Sequence, residues 1–409
     1  MFSLRVIIKY YMFLFLFIDA LSGFIRVYLG LTNPIFNIGY WVRGPIVVLF
    51  FFYYGFKLLN KSKLYFDEAL CLIIFLFFIF NAFFNYGIHL SASMLITDLT
   101  YTLRFQFLFF LFVFLKNRMT LSNALTRRII QLNFATFVAS LMAGFFFGFG
   151  LESYRFEGTS KGMFQGGNPV SILNLIFFTY FLLDGNLRKK LIPVSFTILN
   201  AFIIASKSVF GFIFPIFFAL KRRAFSINKI ITYNFIAILG VFLLAFMLEN
   251  AKNMYENRFG LNINKSIAAA EKVGGLYKNN TMNKIASINF RRYASLNAQM
   301  KESFSKSNVF FIGTSFSGQN LFWQQRGEFW FTNCSMDFFD FFFKYGLIGS
   351  VLLVLFLFRG LIPSMLNSSA KNNMAILLFF GYSFFGGHVI DSVTSGSLFY
   401  FLLAKMKSK

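Results

Sequence analysis

Acidic side chains are scarce in this chain. Among 409 residues there are 15 Asp and Glu, 2 His, 2 Cys and 3 Trp, and charged residues of every kind make up 13%. A soluble globular domain is about 25% charged and roughly 45–50% apolar. Here 57% of residues are hydrophobic, Phe alone contributes 67, and mean hydropathy is +0.64. So little charge cannot keep a folded surface or a disordered chain in water, which excludes both classes. A single membrane anchor is excluded too, because long apolar runs recur, such as Ile46 to Phe56 and Leu70 to Phe84.

The two cysteines, Cys71 and Cys334, lie far apart in different expected environments, so neither a disulfide framework nor redox chemistry is indicated. His89 and His388 lack the neighbouring ligands of a zinc motif. There is no phosphate-binding P-loop and no Gly-x-Ser-x-Gly elbow. The stretch from Gly313 to Gly318 is poor in glycine and has no following lysine, and it reads as a turn. No cofactor and no metal is expected, and the energy source is not a nucleotide held by this chain.

What is abundant is apolar length and positive charge. A bilayer-crossing helix needs about 20 mostly apolar residues, which leaves room for about 12 spans. They are read at 6–26, 40–58, 69–89, 94–115, 129–149, 169–184, 191–206, 208–220, 230–249, 336–358, 374–390 and 395–405, an all-α polytopic membrane protein. The abundance of Phe is read as lipid contact. Lys and Arg number 39, for a formal net charge of +24. In a soluble protein that balance would point to nucleic acid. Here membrane topology accounts for most of it, and no nucleic-acid partner is expected.

The positive clusters follow every second span: Lys57, Lys61 and Lys63; Lys116, Arg118, Arg127 and Arg128; Arg188, Lys189 and Lys190; Lys221, Arg222 and Arg223; Lys405, Lys407 and Lys409. The positive-inside rule places all of them, and both termini, in the cytoplasm. Arg5 and Lys9 before an apolar run have the outline of a signal peptide, with Ala20-Leu21-Ser22 as a poor cleavage site. A retained first span keeps the downstream pattern consistent and is preferred. The chain therefore divides into spans 1–249 with a short outer loop at 150–168, a large basic outer loop at 250–335, and spans 336–409.

The large outer loop carries eleven Lys and Arg between Lys252 and Arg326, opposed within it by Glu256, Glu271, Glu302 and Glu328. From Met282 onward, Ile285, Ile288, Leu296 and Met300 recur at helical intervals with Arg291 and Arg292 between them, which predicts an amphipathic helix on the bundle or at the membrane interface. The paired arginines read equally as a solvated face or as a functional pair.

Charges inside spans are costly, about 2.5–3.5 kcal/mol each at a helix centre on insertion scales. Asp19, Asp98, Arg104, Asp337, Asp340, Lys344, His388 and Asp391 each ask for a reason. Asp98 and Arg104 are read first as groups that pair with other polar groups and fix helix packing. Asp337, Asp340 and Lys344, spaced by three and four, share one helical face at the outer entry of their span, either as a surface salt bridge or as part of a site. On the same side, Arg155, Lys161, Arg258, Arg291, Arg292 and Arg326 could bind phosphate, Arg in bidentate fashion, or lipid headgroups. Cationic loops, carboxylates and a membrane-embedded surface on one side suit a diphosphate-linked lipid.

These segments resemble a known family. Arg155-x-x-Gly158 followed by Gly166-Gly167-Asn168-Pro169 opening a span resembles the first external loop of bacterial O-antigen polymerases and ligases. Ala205-Ser206-Lys207-Ser208 resembles their short turn between spans. The stretch from Arg291 through Gly313-Thr314-Ser315 resembles their loop arginine and glycine turn. Asp337-Phe338-Phe339-Asp340 leading into Tyr345-Gly346-Leu347-Ile348-Gly349 resembles their aromatic and acidic entry to the next span. Gly386-Gly387-His388-Val389 resembles a late motif of some polymerases.

The resemblance implies a GT-C-type glycosyltransferase fold in the bacterial inner membrane. The implied activity is that of an O-antigen polymerase, which joins undecaprenyl-diphosphate-linked repeat units as donor and acceptor at the periplasmic face. It also makes a chain-length-regulating partner plausible. On that reading Arg155 and Arg291 hold the donor diphosphate, supported by Arg292, Arg258 and Lys161, while Glu328 or Asp337 takes a proton from the attacking hydroxyl. Two departures stand out: Ser335 occupies a position where many relatives have an acid, and the large loop has no histidine, which favours polymerase over ligase. A flippase for the same lipid-linked sugar is the alternative from another class, but such transporters are built from similar halves with short loops.

Overall fold

The computed structural model describes residues 2–30, 37–148, 150–151, 159–164, 166–183, 191–204, 211–221, 290–325, 337–366, 370–385, 387, 389–390 and 392–405. Every described element is a helix: α1 (Phe2–Tyr28), α2 (Ile38–Leu59), α3 (Phe66–His89), α4 (Ala92–Arg118), α5 (Asn123–Phe146), α6 (Gly167–Leu183), α7 (Leu191–Ile204), α8 (Ile213–Lys221), α9 (Phe290–Ser305), α10 (Ser307–Phe311), α11 (Ser315–Gln325), α12 (Asp337–Leu366), α13 (Ala370–Phe385) and α14 (Val393–Lys405). A helix lies at every span expected from the sequence except 230–249, which is outside the described residues, as is Cys334. Five helices are long and apolar enough to cross a membrane: α2, α3, α4, α5 and the Asp337–Arg359 stretch of α12. That is the build of a membrane-embedded helical protein.

α4 is the axis of the bundle, packed by α2, α3, α11 and α14. Residues 107–115 are at most 1% exposed. A helix that is apolar on every face belongs against lipid or in a core, and here it forms the core of the bundle. Its rings interlock with their neighbours, with Phe110 5.6 Å from both Phe50 and Tyr54, and Phe109 4.6 Å from Phe356. The reading of Phe as lipid contact is therefore corrected for this helix, where Phe fills the core by edge and offset packing. Phe52, Phe56, Phe80 and Phe83 do remain exposed on outer faces of the bundle.

Polar side chains fix the register between helices. Asn133 of α5 donates to Met12 O (2.9 Å) and Ile129 O (2.8 Å), and its Oδ1 accepts from Leu16 N (3.3 Å). Farther along, Tyr28 Oη donates to Gly148 O (2.7 Å), so α1 and α5 run parallel. α1 is a built-in part of the bundle, with Ile8, Phe15 and Leu16 fully buried. Asn133→Ala removes a fully buried clamp, and the expected loss is about 1–3 kcal/mol. It is read as a lower melting temperature of the purified protein in detergent; an unchanged melting temperature would show that the clamp is dispensable.

At the start of α3, Asp67 pairs with Lys116 (2.5 Å) and Glu68 with Arg118 (2.6 Å), which ties the α2–α3 turn to the end of α4. α14 runs alongside α4, with Tyr11 Oη 2.9 Å from Ser397 Oγ and the Tyr400 ring beside Phe109 and Phe112. The start of α1, the 60–65 turn, the α4–α5 connection and the end of α14 thus share one end of the bundle, and Lys57, Lys61, Lys63, Lys116, Arg118, Arg127 and Arg128 gather there. The opposite end holds α9, α10, α11 and the start of α12.

Candidate functional site

The end opposite the basic clusters is organised by a break in α12. Gly346 stands at φ 62 and ψ −166, and the helix changes course there. Gly313, at φ 89, lies against it: a Cβ on Gly346 would meet the backbone of Phe311 and Ile312, and one on Gly313 would meet the backbone of Lys344 and Tyr345. Two segments of the chain cross here at backbone contact, which only glycine permits. Carbonyls beside the break are taken up by other segments. Thr314 N donates to Phe343 O (2.9 Å), and Asn81 Nδ2 donates to Lys344 O (3.3 Å) and Ile312 O (2.7 Å). Irregular backbone at membrane depth needs such partners.

α11 begins immediately after this crossing, so the reading of 313–318 as a turn alone is corrected. Gly313 and Thr314 make the turn, and a helix follows because Asp98, reaching across from α4, supplies its N-terminal acceptor. Asp98 Oδ1 accepts from Ser317 N at 2.7 Å, and Ser317 Oγ donates to Met94 O at 3.0 Å. A carboxylate at a helix N-terminus also complements the helix dipole. Asp98 therefore does what the sequence suggested, fixing packing through polar partners.

Between α4, α11 and α12 lies a narrow recess. Its walls are aromatic and aliphatic: Tyr101, Phe105, Phe316, Phe341, Tyr345, Leu353 and Ile390. Its polar groups are Asp337, Asp340 and Lys344, all on the first half of α12. They are 9%, 3% and 7% exposed, so the surface salt-bridge reading gives way to a buried, site-lining one. Asp337 Oδ2 accepts from Val389 N and Ile390 N, both at 3.0 Å. Asp340 Oδ1 accepts from Gln319 Nε2 at 2.9 Å and Gln299 Nε2 at 3.4 Å. Lys344 Nζ lies 5.1 Å from the centre of the Phe316 ring, which stacks on Tyr101, and Arg104 lies 5.7 Å from the Tyr101 ring. A stacked ring pair flanked by two cations is a favourable place for positive charge in an apolar setting.

Asn168, at the start of α6, joins the same end. Its Nδ2 donates to Gly387 O (3.3 Å), and Tyr382 Oη donates to its Oδ1 (3.4 Å). Residues 168, 314, 337–345, 387, 389 and 390, more than two hundred positions apart at the extremes, are thereby brought together. Apolar walls with a few convergent polar groups are the usual form of a small-molecule site.

Of the residues singled out by sequence, Asp337 lines the recess. Arg291 and Arg292 are in the first turn of α9, the helix whose Gln299 reaches Asp340; their side chains lie outside the described set. Lys161 sits in a pinned stretch at the same end, where its N–H donates to Leu151 O (3.0 Å) and Leu151 N donates to Gly162 O (2.8 Å); it does not line the recess. Arg155, Arg258, Glu328, Arg326, His388 and Asp391 lie outside the described residues. Among the described residues no three His, Cys, Asp or Glu side chains gather into a metal-holding group. Gln299 and Gln319 were missed. Gln299 falls three residues after Leu296, on the apolar face of its helix, and a polar residue there was the available signal. No protein-family model, no curated protein and no solved structure matches the chain.

Proposed function

We propose that this chain is a bacterial inner-membrane glycosyltransferase, an O-antigen polymerase that joins undecaprenyl-diphosphate-linked repeat units into polysaccharide at the periplasmic face. The observation that carries this reading is the convergence at one end of the bundle. Residues from the segments that resemble the polymerase family are linked in pairs, Asn168 to Gly387, Thr314 to Phe343 and Val389 to Asp337, and Asp337, Asp340 and Lys344 line a recess there. The reading includes 12 spans, a GT-C-type arrangement and a basic cytoplasmic end, and it is supported by the gathering of positive clusters at the end opposite the recess.

In this reading the acceptor hydroxyl attacks the anomeric carbon of the donor, the sugar–diphosphate bond breaks, and the leaving diphosphate is held by cations. Arg155, Arg258, Arg291, Arg292 and Lys161 supply those cations, and Lys344 adds one inside the recess. A carboxylate, Asp337 or Glu328, receives the hydroxyl proton.

The test is the surface-polysaccharide ladder of cells lacking the gene, with and without a plasmid-borne copy, and with Arg291→Ala. Lipid core carrying one repeat unit is the expected result, with the alanine variant failing to restore the ladder at normal membrane abundance. Bare core with lipid-linked polymer would instead make the protein a ligase. Single units retained at the inner face would make it a flippase, and an unchanged ladder would overturn all three.

A further inference from the structure

We propose that Asp340, rather than Asp337, receives the proton of the attacking hydroxyl, and that Gln299 and Gln319 are its positioning residues. The inference rests on the polymerase reading and deepens it.

Both acids line the recess, but they are held in different ways. Asp337 spends one oxygen on two backbone N–H groups, Val389 and Ile390, each at 3.0 Å. Two backbone donors hold that oxygen in place. They also give Asp337 a sufficient structural task, which is to pin the 389–390 turn to the start of α12.

Asp340 takes its donors from side chains on two different helices, α9 and α11, which meet α12. These two donors are neutral amides, and each fixes the direction of the carboxylate oxygen that it meets. An ionised carboxylate can only accept, so both amides must present their NH2 groups to it. The consequence is visible in the amides. The Oε1 atoms of Gln299 and Gln319 are buried with no hydrogen-bond partner, although the side chains are only 1% and 0% exposed. Leaving two buried acceptors unsatisfied is unfavourable, and such exceptions call for a functional explanation. Apolar side chains would pack this interface at lower cost; they could not aim a carboxylate. Lys344, one turn further along α12, places a positive charge beside the same recess.

The step balances without a further reactant. The acceptor oxygen forms a bond to the anomeric carbon, the carbon–oxygen bond to the diphosphate breaks with its electron pair leaving on the diphosphate, and the hydroxyl proton passes to Asp340.

The experiment uses the full-length protein in lipid nanodiscs, with lipid-linked repeat units extracted from the gene-deletion cells as both donor and acceptor. Asp340→Asn is expected to lower the polymerisation rate by about 100-fold or more while the melting temperature stays within about 2 °C, because the amides can turn to suit the isosteric Asn. Asp340→Glu is expected to recover part of the activity. Gln319→Leu is expected to lower kcat by about tenfold with KM little changed, whereas Asp337→Asn is expected to lower the melting temperature. Wild-type rate in Asp340→Asn would overturn the assignment, and so would a Gln319→Leu effect confined to stability. If Asp340→Asn is not recovered folded, Asp340→Glu and Gln319→Leu decide. Wild-type protein that forms no polymer from these units would count against the polymerase reading itself, a different outcome from active wild type with an equally active Asp340→Asn.

Discussion

Gly346→Ala is expected to abolish the native thermal transition of the purified protein, or to lower its membrane abundance severely. The backbone at φ 62 and ψ −166 lies in a region that is essentially glycine's alone, and holding another residue there costs on the order of 1–3 kcal/mol. A methyl group would in addition press on the backbone of Phe311 and Ile312, which has no flexible end to yield. To relieve it, the 312–314 turn must move, and with it go Thr314 N on Phe343 O and Asn81 Nδ2 on Ile312 O. α11 and the recess would then lose their seat on α12. Gly381→Ala is the control, because that glycine faces open space on α13 and alanine favours a helix by roughly 0.5–1 kcal/mol. Its melting temperature is expected to be unchanged or higher. Native melting behaviour in Gly346→Ala would show that the crossing has room for a methyl group.

Glu68→Ala is expected to cost about 3–5 kcal/mol, the range for removing one member of a buried pair. Glu68 is 0% exposed; it accepts from Arg118 Nε and Nη2, both at 2.6 Å, and from Tyr65 N at 3.0 Å. The bidentate fork is the strongest geometry such a pair can adopt. Arg118 also lies 4.7 Å from the Tyr65 ring and 3.4 Å from Lys63 O, so the whole α2–α3 turn hangs on it. Glu68→Gln keeps an acceptor but not the charge, and it should fall between wild type and alanine. Melting temperatures of the three proteins in one detergent decide the matter. Equal values for wild type and alanine would show that the turn is held elsewhere.

The spans were legible because hydropathy acts locally: α2 to α5 and the long apolar part of α12 are runs that nothing but a membrane or a core could accept. The clustering of Asp337, Asp340 and Lys344 was legible for the same reason, since spacing along one helix is a property of the chain itself. Their burial was not. It follows from α11 closing over them, and α11 itself depends on an acceptor contributed by Asp98 more than two hundred residues earlier. The partner of Asp19 was likewise invisible in the sequence: Arg43, on the next helix, pairs with it and also donates to Tyr11 Oη (3.1 Å).

The sequence by itself determined that this is a many-helix membrane protein, which stretches its long apolar helices occupy to within a few residues, and which charges needed an explanation. Those are consequences of composition and of the 3.6-residue period, and both can be read one segment at a time. Only the tertiary structure decided which of those charges meet. It brought Asp337, Asp340 and Lys344 to one recess with Tyr101, Phe316 and Ile390, set two glutamines on Asp340, and moved much of the Phe from the lipid face into the core. Contacts between distant segments depend on which helices pack side by side and on where a glycine crossing lets two backbones touch, and no single segment carries that information.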